Sequence, residues 1–417
     1  MPALLRRRAF SFLAALLGAV PGATCQSAAG DRVAGWRGDG NALLSALASQ
    51  HYVLRRAPLP DSIRAAADRF RAGVPRWSDD RALAELMRLA AMAGDGHTYV
   101  LPFSAANVPS HILPVRFYQF SDGLFVIDAL PGHERWIGAQ VRSLAGVPVE
   151  QLVARLRPYI ARDNDAGGIL WVAPTLLRFQ GFLEAIADRS LDDGVSATLR
   201  DTNVTLPLVV APPLRGMPKL LPSRFPGAPP APRWLRNVAT TFWLEPIGDT
   251  VLYVQFNQVQ DTPQESLAEA AARLDAAIAR QHPRFLIVDA RHNNGGNLAL
   301  LDPLIAALRR FTFGGGRLVV LSGRHTFSAA QIFLGRAEHE AHAEIAGEPS
   351  ASKPNFVGEE NAVQLPWSGA QASVSNRYHE SIPGDTRLWI EPRPKVILSS
   401  IDYFQNRDPV LEALLGR

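Results

Sequence analysis

Cysteine is almost absent: Cys25 is the only one in 417 residues. Neither a disulfide framework nor a cysteine-ligated metal site can be built within one chain. Beyond the first thirty residues no apolar run is long enough to span a bilayer, so no stable membrane insertion is expected. An excess of one charge is missing too. The formal net charge of +4 comes from 43 basic and 39 acidic residues, and Arg6, Arg7 and Arg8 fall in an N-terminal stretch with no acid. The rest of the chain is balanced and carries no basic block, which argues against a nucleic-acid partner. No glycine-rich loop follows a strand in the form that cradles phosphate. His339-Glu340-Ala341-His342 spaces its histidines three apart, where the zinc-peptidase motif needs four, so neither a metal nor any other cofactor is expected. Apolar residues, by contrast, are plentiful. At 47% hydrophobic and 20% charged the chain can bury sizeable cores, and its length suits two or three domains.

Residues 1–25 read as an export signal. Three arginines precede the apolar run AFSFLAALLGAV, and small residues follow it. The Arg7-Arg8-Ala9-Phe10 run resembles a twin-arginine signal. Cleavage at or just past Cys25 would leave a mature chain without cysteine, periplasmic or secreted.

Residues 31–110 read as a helical domain. Asp61-Ser62 is placed to cap one helix and Ser78 another, which carries Leu83, Leu86, Met87 and Ala90 on one face. Gly94-Asp95-Gly96-His97-Thr98 makes the turn that ends it. Residues 111–210 form a β-rich middle segment, with a hairpin turn at Ser121-Asp122-Gly123. Between Ala211 and Trp234 eight of 24 residues are proline, a composition that stiffens a linker and builds no core. Residues 235–417 alternate strand and helix, giving an α/β layer of largely parallel strands. There Thr262-Pro263-Gln264-Glu265 reads as the start of a helix reaching to about Arg280, and Leu298 to Arg310 as another.

Three strand ends in this last block carry chemistry. Asp289-Ala290-Arg291-His292-Asn293-Asn294-Gly295-Gly296 places paired glycines where backbone N–H groups can face an oxyanion. An ordinary strand-to-helix turn would use the same residues. Thr326-Phe327-Ser328-Ala329-Ala330-Gln331 puts a serine at a helix start, where it is either a cap or a nucleophile favoured by the helix dipole. Gly347-Glu348-Pro349-Ser350-Ala351-Ser352-Lys353-Pro354 offers a lysine 25 residues after Ser328. Half buried, such a lysine loses its proton more easily and can serve a serine as base. His292 and His325 stand beside the proposed site.

The order of these motifs resembles the C-terminal processing, or tail-specific, serine peptidases, in the clan of the tricorn core protease. The match covers roughly residues 240–417, with GDGHT at Gly94–Thr98 and the Asp402-Tyr403-Phe404 to Leu411 tail adding to it. The resemblance implies a crotonase-like C-terminal catalytic domain behind the helical domain, and a small PDZ-like module at residues 112–156. It implies Ser328 as nucleophile and an oxyanion hole from Gly295 or Gly296 with the amide of Ala329. Two residues compete as base. Lys353 has the spacing of the Ser–Lys enzymes; His97 aligns with the histidine of tricorn-like members, with Asp95 and Thr98 placed to orient it. The chain departs from the pattern at Gln331, Pro354 and Val357. The implied activity is an extracytoplasmic endopeptidase that cleaves peptides or protein tails through an acyl-enzyme. The alternative is a non-catalytic ligand- or peptide-binding protein on the same scaffold. Valine at 295 or 296 is expected to abolish activity with little loss of stability.

Overall fold

Helices open the chain: α1 (Ala29–Gln50), α2 (Asp61–Gly73) and α3 (Asp79–Ala91). The computed structural model describes residues 29–102, 104–211 and 219–416, so the expected export signal lies outside the described residues. Ser78 caps α3 as its sequence suggests, its Oγ accepting from Arg81 N at 3.0 Å. Asp61 and Ser62 do not cap α2. The Pro60 carbonyl accepts from Ile63 and Arg64, which places both residues inside the first turn.

Among the described residues the first half holds nine strands: β1 (Tyr99–Val100), β2 (His111–Ile112), β3 (Val115–Phe120), β4 (Gly123–Ala129), β5 (Val141–Leu144), β6 (Val147–Pro148), β7 (Val195–Leu199), β8 (Thr202–Leu206) and β9 (Val209–Val210). β3 and β4 pair across the Ser121-Asp122 turn, and four strands form a sheet in the order β6-β5-β7-β8. Among them lie α4 (Val149–Leu156), a π-helical stretch at Ala166–Val172, α5 (Ala173–Leu176) and α6 (Gln180–Ala187). Trp36, Leu86, Val115, Leu144, Leu183 and Leu199 belong to one hydrophobic core, so the helices and the β-rich segment are packed together.

The second half is built on a five-stranded sheet. β10 (Phe242–Ile247) runs antiparallel to β11 (Val251–Phe256); β12 (Phe285–Asp289), β13 (Arg317–Ser322) and β14 (Glu344–Gly347) then add in parallel. The parallel strands are apolar on both faces because both are covered. Leu286, Val288 and Val320 meet α7 (Leu267–Gln281), α8 (Asp302–Phe313) and α9 (Ala329–Ala341) in one core, while Ile287, Val319 and Leu321 meet Val410 and Leu411 in another. Two helix starts differ from the sequence reading. α7 begins after Ser266, which forms a capping box with Glu269; Thr262 bonds Glu265 in a turn just before it. The expected helix at Leu298 is a short 3₁₀ turn, Leu298–Leu300, with α8 starting only at Asp302.

A long hairpin, β15 (Asn355–Gln364) and β16 (Gln371–Glu380), was not foreseen. β1 pairs with β16, Tyr99 opposite Ser373, and this carries the turn before β1 to the C-terminal half. The chain closes with α10 (Ser400–Phe404) and α11 (Pro409–Leu415). The proline-rich stretch does contribute to a core. Its Leu220 and Trp234 are buried with Tyr118, Phe120, Leu398 and Tyr403, because scattered apolar side chains need no periodicity to dock on a surface made by other segments. Among the described residues no helix is long and apolar enough to cross a membrane.

Candidate active site

The carboxyl ends of β12, β13 and β14 lie side by side, the edge where open α/β sheets bind ligands. Their loops are stitched together. Thr326 Oγ1 donates to Ala290 O at 2.9 Å and accepts from Gly323 N at 3.0 Å; Phe327 N donates to Asn293 O, and Ala351 N to Thr326 O. Buried ion pairs brace the frame. Arg291 bonds both Asp289 and Asp408, and Tyr253 donates to Asp289 at 2.6 Å. Although burial pushes the Asp289 carboxyl up, the Arg291 guanidinium holds it below its ordinary value. Arg324 makes a two-pronged pair with Glu348 and lies over the Tyr118 ring.

Ser328 stands where β13 hands over to α9. Its side chain makes no capping bond, and its backbone is left-handed, at φ 59° and ψ −127°. A non-glycine residue is strained in that region, and such strain concentrates at functional sites. The Ser328 amide donates to Ser352 Oγ at 3.3 Å. Gly295 lies against it: a Cβ on Gly295 would come within 2.7 Å of Ser328 Cβ. The Gly295 amide is already engaged with Asn293 Oδ1 at 3.0 Å, whereas the amides of Gly296 and Ala329 have no hydrogen-bond acceptor among the described residues.

Ser328, Asn294 and Gly296 open on a cavity of about 380 Å³ whose walls include Met87, Trp171 and Leu176. The π-helical stretch supplies Trp171, whose ring meets Phe327 edge-on at 5.9 Å. The two candidate bases are close in the fold but outside this lining. His97 is buried and stacked between Phe327 at 4.3 Å and Phe356 at 5.2 Å. Neither of its ring nitrogens has a hydrogen-bond partner, and burial lowers its pKa to about 4. Asp95 and Thr98 do not orient that ring. The Asp95 carboxylate takes the backbone amides of His97 and Thr98, the Ser375 hydroxyl, and the imidazole of His51 at 2.8 Å. Since His51 Nδ1 accepts from Leu54 N, its Nε2 carries the proton donated to Asp95. Burial pushes the Asp95 carboxyl up, but the His51 and Ser375 bonds bring it below its ordinary value. Lys353 is half-buried beside Asp163, a residue with no motif to announce it. His292 and His325 line a different, much smaller cavity of about 30 Å³, with Trp234 and Arg324.

With this geometry the chain can be compared with known proteins. No family model matches it, and no curated protein matches it. The fold is similar to that of mature CPAF. In its complex with lactacystin that protein is 14% identical, with 90% of this chain and 96% of that chain covered and a TM-score of 0.59. A serine-to-alanine mutant of CPAF gives 13%, 90%, 95% and 0.61. The photosystem II D1 C-terminal processing protease is 14% identical over 87% of this chain and 93% of that chain, at a TM-score of 0.39. The likeness to CPAF shows a shared mixed α/β fold with several sheets.

Residues missed in the sequence complete the site's frame. Asn164 Nδ2 donates to Ser350 O at 3.0 Å and Asn293 Nδ2 to Phe256 O at 3.1 Å, each fixing a loop by a backbone bond. Asn293 lay inside a motif already read as functional, so its role was open to inference; Asn164 carried no such signal.

Proposed function

We propose that this chain is an extracytoplasmic serine-type endopeptidase of the C-terminal processing kind, cleaving peptides or protein tails. The observation that carries this reading is Ser328 itself: strained, uncapping, at the N-terminus of α9 and open to the cavity. A cap would be relaxed and bonded to its own helix. In the proposed reaction Ser328 Oγ forms a bond to the substrate carbonyl carbon and gives its proton to a base. The carbonyl oxygen becomes an oxyanion held by the Gly296 and Ala329 amides, while Gly295 shapes the approach. The base passes the proton to the leaving amine as the peptide C–N bond breaks. Water then attacks the acyl ester with the same base accepting its proton, and Ser328 is restored with release of the acid.

Lys353 is the proposed base, on its spacing from Ser328, with His97 lining the site; the apolar stacking around His97 keeps that ring neutral at physiological pH. The apolar cavity suits a bulky apolar side chain next to the scissile bond. The five-stranded sheet with its covering helices supports a catalytic unit at 235–417, proposed as crotonase-like, with a PDZ-like middle segment. The arginine-led apolar leader supports export. Treatment of the mature protein with a fluorophosphonate probe tests the reading. Labelling that disappears in Ser328→Ala supports it, and labelling that survives Lys353→Ala but is lost in His97→Phe moves the base to His97. Intact wild-type protein that resists the probe at every pH would favour a non-catalytic binding protein.

A further inference from the structure

Asp163 sits between the π-helical stretch and the loops of the site and is 8% exposed. Its Oδ1 accepts from Gly96 N at 2.9 Å, within the Gly94–Thr98 turn. Its Oδ2 is buried without a hydrogen-bond partner. A Cβ on Gly96 would come within 3.2 Å of the Asp163 carboxyl carbon and 3.0 Å of the Phe327 ring, so both groups close on the turn at Gly96. Ser352 and Lys353 face the same carboxyl from the other side, and Ser352 Oγ is the acceptor for the Ser328 amide. One carboxyl therefore bonds the turn that carries His97 and lies beside the loop that carries Lys353.

We propose that Asp163 is a positioning residue of the proposed peptidase site, acting through Ser352 on the backbone of Ser328 and through its charge on Lys353. The inference rests on the serine-peptidase reading. In this role the open Oδ2 of the carboxylate takes up the Ser352 hydroxyl proton, which leaves that oxygen's lone pairs to the Ser328 amide and fixes the left-handed serine. Protonated, it competes as a donor and releases that geometry. The charged groups facing it are Asp95 on the turn and Lys353 on the loop; on its own segment Arg162 and Asp165 pair with each other. Burial, aided by the Asp95 charge and opposed by the Gly96 amide, Ser352 and Lys353, pushes its pKa up to about 7. Site geometry thus tightens as pH rises through neutrality.

The test is Asp163→Asn, which keeps an acceptor for Gly96 but removes the charge. It is compared with wild type in the rate of fluorophosphonate labelling from pH 5 to 9, and in kcat and KM for an apolar peptide. The expected result is a loss on the order of 10²-fold in labelling rate and kcat, with KM little changed. The rise in rate near pH 7 should vanish, and the melting temperature should stay close to wild type. A variant with the wild-type pH profile and rate overturns the positioning role while the peptidase reading stands. A variant that loses rate only in proportion to lost folded protein overturns it as well. Wild-type protein that never labels removes both.

Discussion

Alanine at Gly296 is the sharpest perturbation available, and it corrects the idea that this glycine pair can be enlarged at little cost to the fold. The residue has φ +135°, and an added Cβ would come within 2.1 Å of the Val259 carbonyl oxygen. That oxygen is backbone and cannot rotate away. The Val259 segment must therefore separate from the glycine turn, losing the bonds from Val259 N to Gly295 O at 2.9 Å and from Asn297 N to Val259 O at 2.8 Å. Each such bond contributes about 1 kcal/mol, and an L-residue in this backbone region adds about 1–3 kcal/mol of strain. We expect Gly296→Ala to lose about 3–5 kcal/mol, a large part of the roughly 5–15 kcal/mol of a typical fold. In urea titration followed by tryptophan fluorescence this should appear as a midpoint lower by about 1 M or more. At a temperature where the variant is still folded, the displaced amide should slow fluorophosphonate labelling of Ser328 by about 10²–10³. An unchanged midpoint would refute the steric argument, and an unchanged labelling rate in folded protein would remove Gly296 from the oxyanion hole.

Ser328→Gly should stop labelling yet raise stability by about 1 kcal/mol, since glycine occupies the left-handed backbone without strain; a less stable variant in calorimetry would contradict the strain argument. Arg291→Ala should cost about 3–5 kcal/mol by leaving Asp289 and Asp408 buried without their partner, measured as lost thermal stability. His97 and His292 each have a folded-state pKa of about 4, below the unfolded value near 6.5. Their contribution is complete above pH 6.5 and is lost as pH falls towards 4, about 3 kcal/mol per histidine at most, so urea midpoints at pH 7 and pH 5 should differ, and His292→Phe should narrow the gap.

The α/β layer could be read from the chain because parallel strands covered on both faces are continuous apolar runs, as in Phe285–Asp289 and Arg317–Ser322. The start of α7 was misplaced because Thr262-x-x-Glu265 and Ser266-x-x-Glu269 carry the same capping pattern four residues apart. Packing chose Ser266, whose helix brings Leu267, Ala270, Ala271 and Leu274 onto the sheet. The β15–β16 hairpin escaped because its Glu359–Asn361 stretch is exposed and charged, with no apolar alternation to mark it. Within the site, Ser328 and the glycine pair were legible as motifs. Asp163 was not, because its role comes from β1 crossing to β16 and bringing two distant segments to one carboxyl.

Arg291 draws its second carboxylate from Asp408, which also caps α11 by accepting from Leu411 N. A chain still being made has Asp289, Arg291, Ser328 and both glycines long before it has Asp408. Until that residue emerges, the guanidinium beneath the glycine turn is half paired and one face of the sheet lacks Val410 and Leu411. The Asp289–Gly296 strand end is thus held in part by the chain's last described helix, far from it in sequence.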